Sequence, residues 1–150
     1  MILSIEPGIG IGPIKFGMSR EEAQSVIGIK NHSGSGKNTE KYFSYSVDVE
    51  FTDNKVSFIG VSQDKNYSLL YKGFDPFDME AAELFELVSQ HESGEHVFDD
   101  SQYIFPDQII TLWDADEQYD RKGGEERKVW AQIGLGSNVY LEAIQRITRR

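Results

Sequence analysis

Three stretches of the chain hold residue types at spacings that could do chemistry. The first is GPIKFGMS, Gly12 to Ser19. Gly12, four residues, Gly17 and the hydroxyl of Ser19 have the spacing of a phosphate-binding loop. The chemistry does not follow. Met18 stands where a lysine should reach the phosphates, Lys15 lies inside the loop, and Gly8, Gly10 and Gly12 break the strand that should lead in. The second is HESGEH, His91 to His96. Two zinc-ligating histidines on one helix face need a spacing of four, and these are five apart with Gly94 between them. The third is DADEQYDRKGGE, Asp114 to Glu125, where Asp114, Asp116 and Glu125 fall at calcium-loop positions 1, 3 and 12. Position 6, which needs glycine for its sharp turn, is Tyr119. No metal site or cofactor is expected from any of them. Ser33 and Ser35 sit in a polar loop rather than on a strand-to-helix elbow, and no histidine is placed as their base. No catalytic constellation is therefore expected.

The elements that would position such residues come from patterning. Ser19 with Glu22 is a capping box, and Met18 with Ala23 a hydrophobic staple. Ala23, Val26 and Ile27 make a short apolar stripe that stops at Gly28. NHSGSGKNTE, residues 31–40, reads as a mobile connection. A strand is expected over Tyr42 to Phe51, alternating from Tyr45 onward, with a partner strand at Val56 to Ser62 across the TDNK turn. The second half repeats the order. Asp75 is expected as N-cap with Pro76 at the first helical position, and Ala81, Leu84, Phe85 and Val88 form the buried stripe of a helix ending near His91. SGEHVFDDS reads as a loop, and QYIF, IITLW and VWAQIGLG as strands. The last segment fits either a strand or a helix. The expected fold is α+β, antiparallel, in two tandem helix-plus-sheet units at residues 1–70 and 71–150.

Composition narrows the function. The chain of 150 residues is 39% apolar and has no cysteine, which excludes disulfides and thiolate chemistry and fits a reducing cytoplasm. MILSIEPGIG lacks a basic start and a long apolar run, so no signal peptide is expected. The net charge of −10 argues against nucleic acid and anionic membranes. Residues 1–70 carry a net of −1 and residues 71–150 a net of −9. The acidity is either a solubility feature or a means of steering a basic partner.

IKFGMSREEAQSVIG, Ile14 to Gly28, resembles the opening of small bacterial domains in which a GMS/T-x-x-E turn and helix precede a three-stranded sheet. The outer-membrane assembly lipoproteins and the tandem-repeat β-lactamase inhibitory proteins share that plan, and the chain is similar to bacterial proteins of toxin-immunity clusters. The lipoproteins' lipidated cysteine and the inhibitors' disulfides have no counterpart here. The resemblance implies a protein-binding domain.

The residues place that binding in the second half. Tyr103, Phe105, Trp113, Tyr119, Trp130 and Tyr140 gather in its sheet region, and large aromatics bordered by charge are typical interface anchors. The expected partner surface is Trp113, Asp114, Asp116, Glu117, Tyr119, Asp120, Glu125 and Glu126. Each tryptophan could instead be core. The expected role is a non-enzymatic, immunity-like protein that binds a basic protein. Its rivals are a small-ligand-binding domain, a hydrolase without a recognisable motif, and a homodimer built by edge-strand pairing.

Overall fold

The computed structural model describes residues 1–99, 102–119 and 126–148, with the backbone alone for 99, 116–119, 126, 127, 147 and 148. In chain order the strands and helices are β1 (Ile2–Glu6), β2 (Gly10–Ile11), β3 (Ile14–Lys15), α1 (Arg20–Ile27), β4 (His32–Ser35), β5 (Thr39–Tyr42), β6 (Val47–Thr52), β7 (Lys55–Val61), β8 (Ser68–Leu70), α2 (Ala81–Gln90), β9 (Val97–Asp99), β10 (Gln102–Phe105), β11 (Ile110–Tyr119), β12 (Glu126–Gly136) and α3 (Asn138–Thr148). A single 3-10 turn, Ile29–Asn31, follows α1.

The fold is α+β. Eight antiparallel strands form one sheet in the order β4-β5-β6-β7-β12-β11-β10-β9. Each half of the chain supplies four of them, and the halves meet where β7 pairs with β12 through Phe58↔Gly136, Ile59↔Leu135, Gly60↔Gly134 and Val61↔Ile133. A smaller sheet, β3-β2-β1-β8, draws only on the first 70 residues, with β8 returning parallel to β1.

Alternation assigns the faces of the large sheet. Val47, Val49 and Phe51 of β6 are buried while Asp48 and Glu50 point the other way. Ile59, Val61, Ile133, Leu135, Ile110 and Leu112 continue the inner face and join Ala23 and Ile27 of α1 and Ala81, Leu84 and Val88 of α2 in one core. Burying such side chains is worth about 1.5–3 kcal/mol each, so the inner face holds both helices to the sheet.

Helix α1 starts as its sequence demands. Ser19 Oγ accepts from the Glu22 N–H at 3.1 Å, and Glu22 Oε1 accepts from the Ser19 N–H at 3.2 Å. Gly28 closes it with φ of 96°, a left-handed backbone that glycine adopts without strain. Helix α2 departs from expectation at its start. It begins at Ala81, not beside Asp75, because the Asp75 carboxylate instead accepts from the Phe77 N–H at 2.9 Å in a local turn, while the Glu83 carboxylate accepts from the Glu80 N–H at 3.2 Å. The C-terminal segment is helix α3. Residues 31–40 are not a mobile connection but most of the β4–β5 hairpin, and the strand expected from Tyr42 is interrupted by a turn in which Phe43, Ser44 and Tyr45 all have positive φ. SGEHVFDDS contains β9.

On the outer face, glycine is needed for close approach. A Cβ at Gly134 would lie 2.4 Å from the Phe58 ring and 2.3 Å from Thr111 Oγ1, and one at Gly136 would lie 2.4 Å from the Tyr140 ring. The bare backbone lets Phe58 lie flat, and Tyr140 of α3 stacks on it at 4.5 Å. Gly134→Ala is expected to cost about 1–3 kcal/mol and to loosen α3, read as a lower denaturant midpoint and weaker helical ellipticity. A variant as stable as the parent would show that the rings do not depend on the bare backbone.

Candidate functional site

The two tryptophans, equal as sequence signals, separate in the structure. Trp130 is 8% exposed, and its Nε1–H donates to the Ala81 carbonyl at 3.0 Å. Its ring meets Tyr103 edge-on at 5.9 Å, and Tyr103 meets Phe85 in the same way at 4.9 Å. Trp130 is core. Trp113 is 44% exposed and is followed by exposed Asp114, whose φ is +51°. Aspartate tolerates that backbone better than most residues, and it sits where the strand continues into the long β11–β12 hairpin. Asp116, Glu117, Tyr119 and Glu126 are paired backbone within that hairpin, opposite Val129, Lys128, Glu126 and Tyr119 respectively. Asp120 and Glu125 lie outside the described residues.

Tyr45 belongs with Trp113, and sequence patterning missed it. It reads as the start of an alternating strand, yet it is 65% exposed at the tip of the β5–β6 turn. Its N–H donates to Ser33 Oγ at 3.3 Å, and its ring would lie 3.1 Å from a Gly34 Cβ. The next residue, Ser46, accepts from the Ser62 N–H, and the β7–β12 register places Ser62 beside Gln132, the partner of Trp113. Tyr45 and Trp113 therefore stand at the same end of the sheet, three strand spacings apart, or about 14 Å. Three consecutive positive φ values outside glycine were the one local signal, and only coordinates reveal them.

The uneven charge has a cause in the chain. Residues 73–120 contain 14 Asp and Glu and no Lys or Arg. Acids such as Asp78, Glu80, Glu83, Glu86, Glu95, Asp107 and Asp114 are exposed. Bases face this run from β12, where Lys128 stands opposite Glu117 and Arg127 opposite Gln118.

A separate cluster has the residue types of a hydrolytic triad. Ser35 Oγ lies 3.1 Å from His32 Nε2, and His32 Nε2 lies 2.6 Å from Glu40 Oε2. One ring nitrogen faces both partners, whereas a triad needs opposite nitrogens. Ser35 Oγ also donates directly to Glu40 Oε2 at 2.6 Å. The hydroxyl proton is held by a carboxylate, not by a base that could remove it. The cluster is a clasp. Arg20 completes it, donating to Glu40 Oε1 at 2.9 Å and to the carbonyls of Gly36, Lys37 and Thr39 at 2.7–2.9 Å. It ties the start of α1 to the β4–β5 hairpin.

A concavity of about 560 Å³ lies between the β6–β7 turn and the start of α3, lined by Phe16, Lys55, Gln108, Ser137 and Asn138 among others. Gln108 is engaged elsewhere: its amide donates to the Val88 carbonyl at 3.1 Å and to Glu92 at 3.2 Å, and it accepts from the Tyr71 hydroxyl. Ser137 Oγ is buried without a partner. Glu50, whose carboxyl is pushed up by burial and then by Asp48, is not among the lining residues. Among the described residues no group of three or more His, Asp or Glu is placed to hold a metal ion, and no helix is long and apolar enough to cross a membrane.

No known protein family, curated protein or solved structure matches the chain.

The clasp gives a test. Burial pushes the Glu40 carboxyl up, but hydrogen bonds from Ser35, His32 and Arg20 outweigh it, leaving it below its usual value of 4.5. A carboxyl depressed by folding stabilises above its unfolded pKa, and that contribution is lost as pH falls through the folded value. Acid unfolding of the parent should therefore include a component below pH 4.5 that Glu40→Gln removes. Arg20→Ala leaves the carboxylate without its main cation and should cost about 3 kcal/mol at pH 7, measured by urea unfolding. Equal acid limbs in the parent and Glu40→Gln would show that the clasp adds nothing to stability.

Proposed function

We propose that this chain is a non-enzymatic protein-binding module that takes a basic partner through its acidic second half, in the manner of an immunity protein against a basic toxin in the cytoplasm. The observation that carries the reading is Trp113, 44% exposed on a strand and followed by Asp114 within a stretch that has no basic residue. An indole held on a sheet loses little conformational freedom on binding and buries a large apolar area. The surrounding acids would raise the rate of encounter with a basic surface and reject acidic ones. Tyr45 extends the surface into the first half of the chain.

The test starts from the protein captured from the native host and purified. Trp113→Ala should weaken its binding at least tenfold, and Asp114→Lys should lower the association rate and flatten its salt dependence. Because Trp113 is half-exposed, Trp113→Ala should leave the fold intact, with a stability change within about 1 kcal/mol, whereas Trp130→Ala should cost about 3–5 kcal/mol. A captured partner that is acidic, or one indifferent to both Trp113→Ala and Asp114→Lys, would overturn the reading.

A small-ligand role is the second reading, favoured by a cleft whose lining includes Ser137, with its buried and unpartnered hydroxyl. It calls for a thermal shift with a low-molecular-weight compound that Ser137→Ala abolishes.

A further inference from the structure

The two edges of the large sheet are finished differently. At one edge, the pairing of β4 with β5 slips between His32 and Gly34, the Tyr45 ring covers Gly34, and Lys30 and Lys37 flank the strand. Bulges, lysines and covering side chains are the usual ways of closing an edge to further strands. The other edge is a strand of only three residues, which itself limits pairing, but among the described residues it carries no bulge, lysine or covering ring. Strand β9 pairs with β10 in unbroken register, Val97↔Ile104, Phe98↔Tyr103 and Asp99↔Gln102, and the sheet order ends there. Val97 is 52% and Phe98 59% exposed, on a strand of good β-formers. His96 just before it is anchored, its ring 5.1 Å from Phe85 and 5.7 Å from Tyr103. The edge is thus fixed in place with one row of its backbone groups facing outward.

The charge beside this edge says what can pair with it. Glu95 is exposed just before Val97 and Phe98, two further acids follow them in the sequence, and no lysine or arginine lies within the 73–120 stretch. A second copy of this edge would add one acid-rich stretch to another, and their like charges repel. An extended segment carrying alternate basic and apolar residues would gain both the backbone hydrogen bonds and the opposite charges.

We infer that β9 is a strand-addition site that receives an extended basic segment of the partner, lengthening the eight-stranded sheet by one strand. The inference rests on the reading that the partner is basic, and it adds a backbone-mediated contact at the far edge from Tyr45.

The probe is a nine-residue peptide of alternating lysine and valine with blocked termini, compared with the same peptide N-methylated at every second residue. N-methylation keeps the charges and side chains but removes the donors and blocks the approach of one backbone edge. Titrated into the full chain at low salt and followed by backbone amide resonances, the unmodified peptide should perturb Val97 and Phe98 most and protect an edge amide from exchange. The methylated peptide should bind at least tenfold more weakly. Glu95→Lys should weaken the unmodified peptide several-fold, with an unchanged spectrum elsewhere showing that the fold is kept. Equal binding of both peptides would overturn strand addition while leaving the acidic-surface reading standing. Binding by neither at low salt would overturn strand addition, the acidic-surface reading being decided separately by Trp113→Ala and Asp114→Lys. A concentration-dependent dimer whose interface maps to β9 would show that the edge serves a second copy instead.

Discussion

The pairing of β7 with β12 is the constraint on which the rest of the structure depends. It joins four strands from residues 32–61 to four from residues 97–136, and so makes one sheet and one core out of two runs of chain. Gly60 and Gly134 stand opposite each other in that seam. The seam has to serve two faces at once. Inside, Ile59, Val61, Ile133 and Leu135 must be apolar to hold the helices. Outside, the missing Cβ atoms let Phe58 and Gln132 lie across the sheet and let Tyr140 dock α3. Branched residues there would still pair as strands, but they would push α3 away.

The seam also decides what can be a surface. With α1 and α2 on the inner face and α3 over part of the outer one, exposed aromatics remain at the sheet's end and at its last edge. Tyr45 and Trp113 share the end, although 68 positions separate them in the sequence. The acids near Trp113 come from a stretch without bases, and in the folded hairpin Lys128 and Arg127 of β12 face its far part. The inner polar cluster is the opposite case. Arg20, His32, Ser35 and Glu40 satisfy one another, and the Glu40 carboxylate accepts from three side chains. Residue types that suggest hydrolysis in a sequence are there used to fasten a hairpin.

Much of the fold was legible where the signal is local. The Ser19–Glu22 box, the Gly28 stop, the stripe of α2 and the strands of QYIF and VWAQIGLG all rest on interactions within a few residues. Legibility failed where a local alternative competed. Asp75 has the chemistry of an N-cap but closes its own turn two residues on. The glycines and serines of residues 31–40 look mobile because nothing within the segment orders them. Their order comes from Arg20, sixteen or more residues away, which binds three of their carbonyls. The final segment fits both periods, and the ring of Tyr140 against Phe58 and Gly136 selects helix.

By itself the sequence determined the fold class, the capped first helix, the uneven charge and the absence of thiol chemistry, since each of these depends on composition or on short-range geometry. Only the tertiary structure decided which tryptophan is buried, that Tyr45 and Trp113 lie at the same end of the sheet, and that among the described residues one sheet edge carries a bulge and a covering ring that the other lacks. Those are questions of which strand lies beside which. Strand pairing is set by contacts between residues far apart in the chain, and a pattern of alternating side chains says that a strand has two faces without saying what will cover either of them.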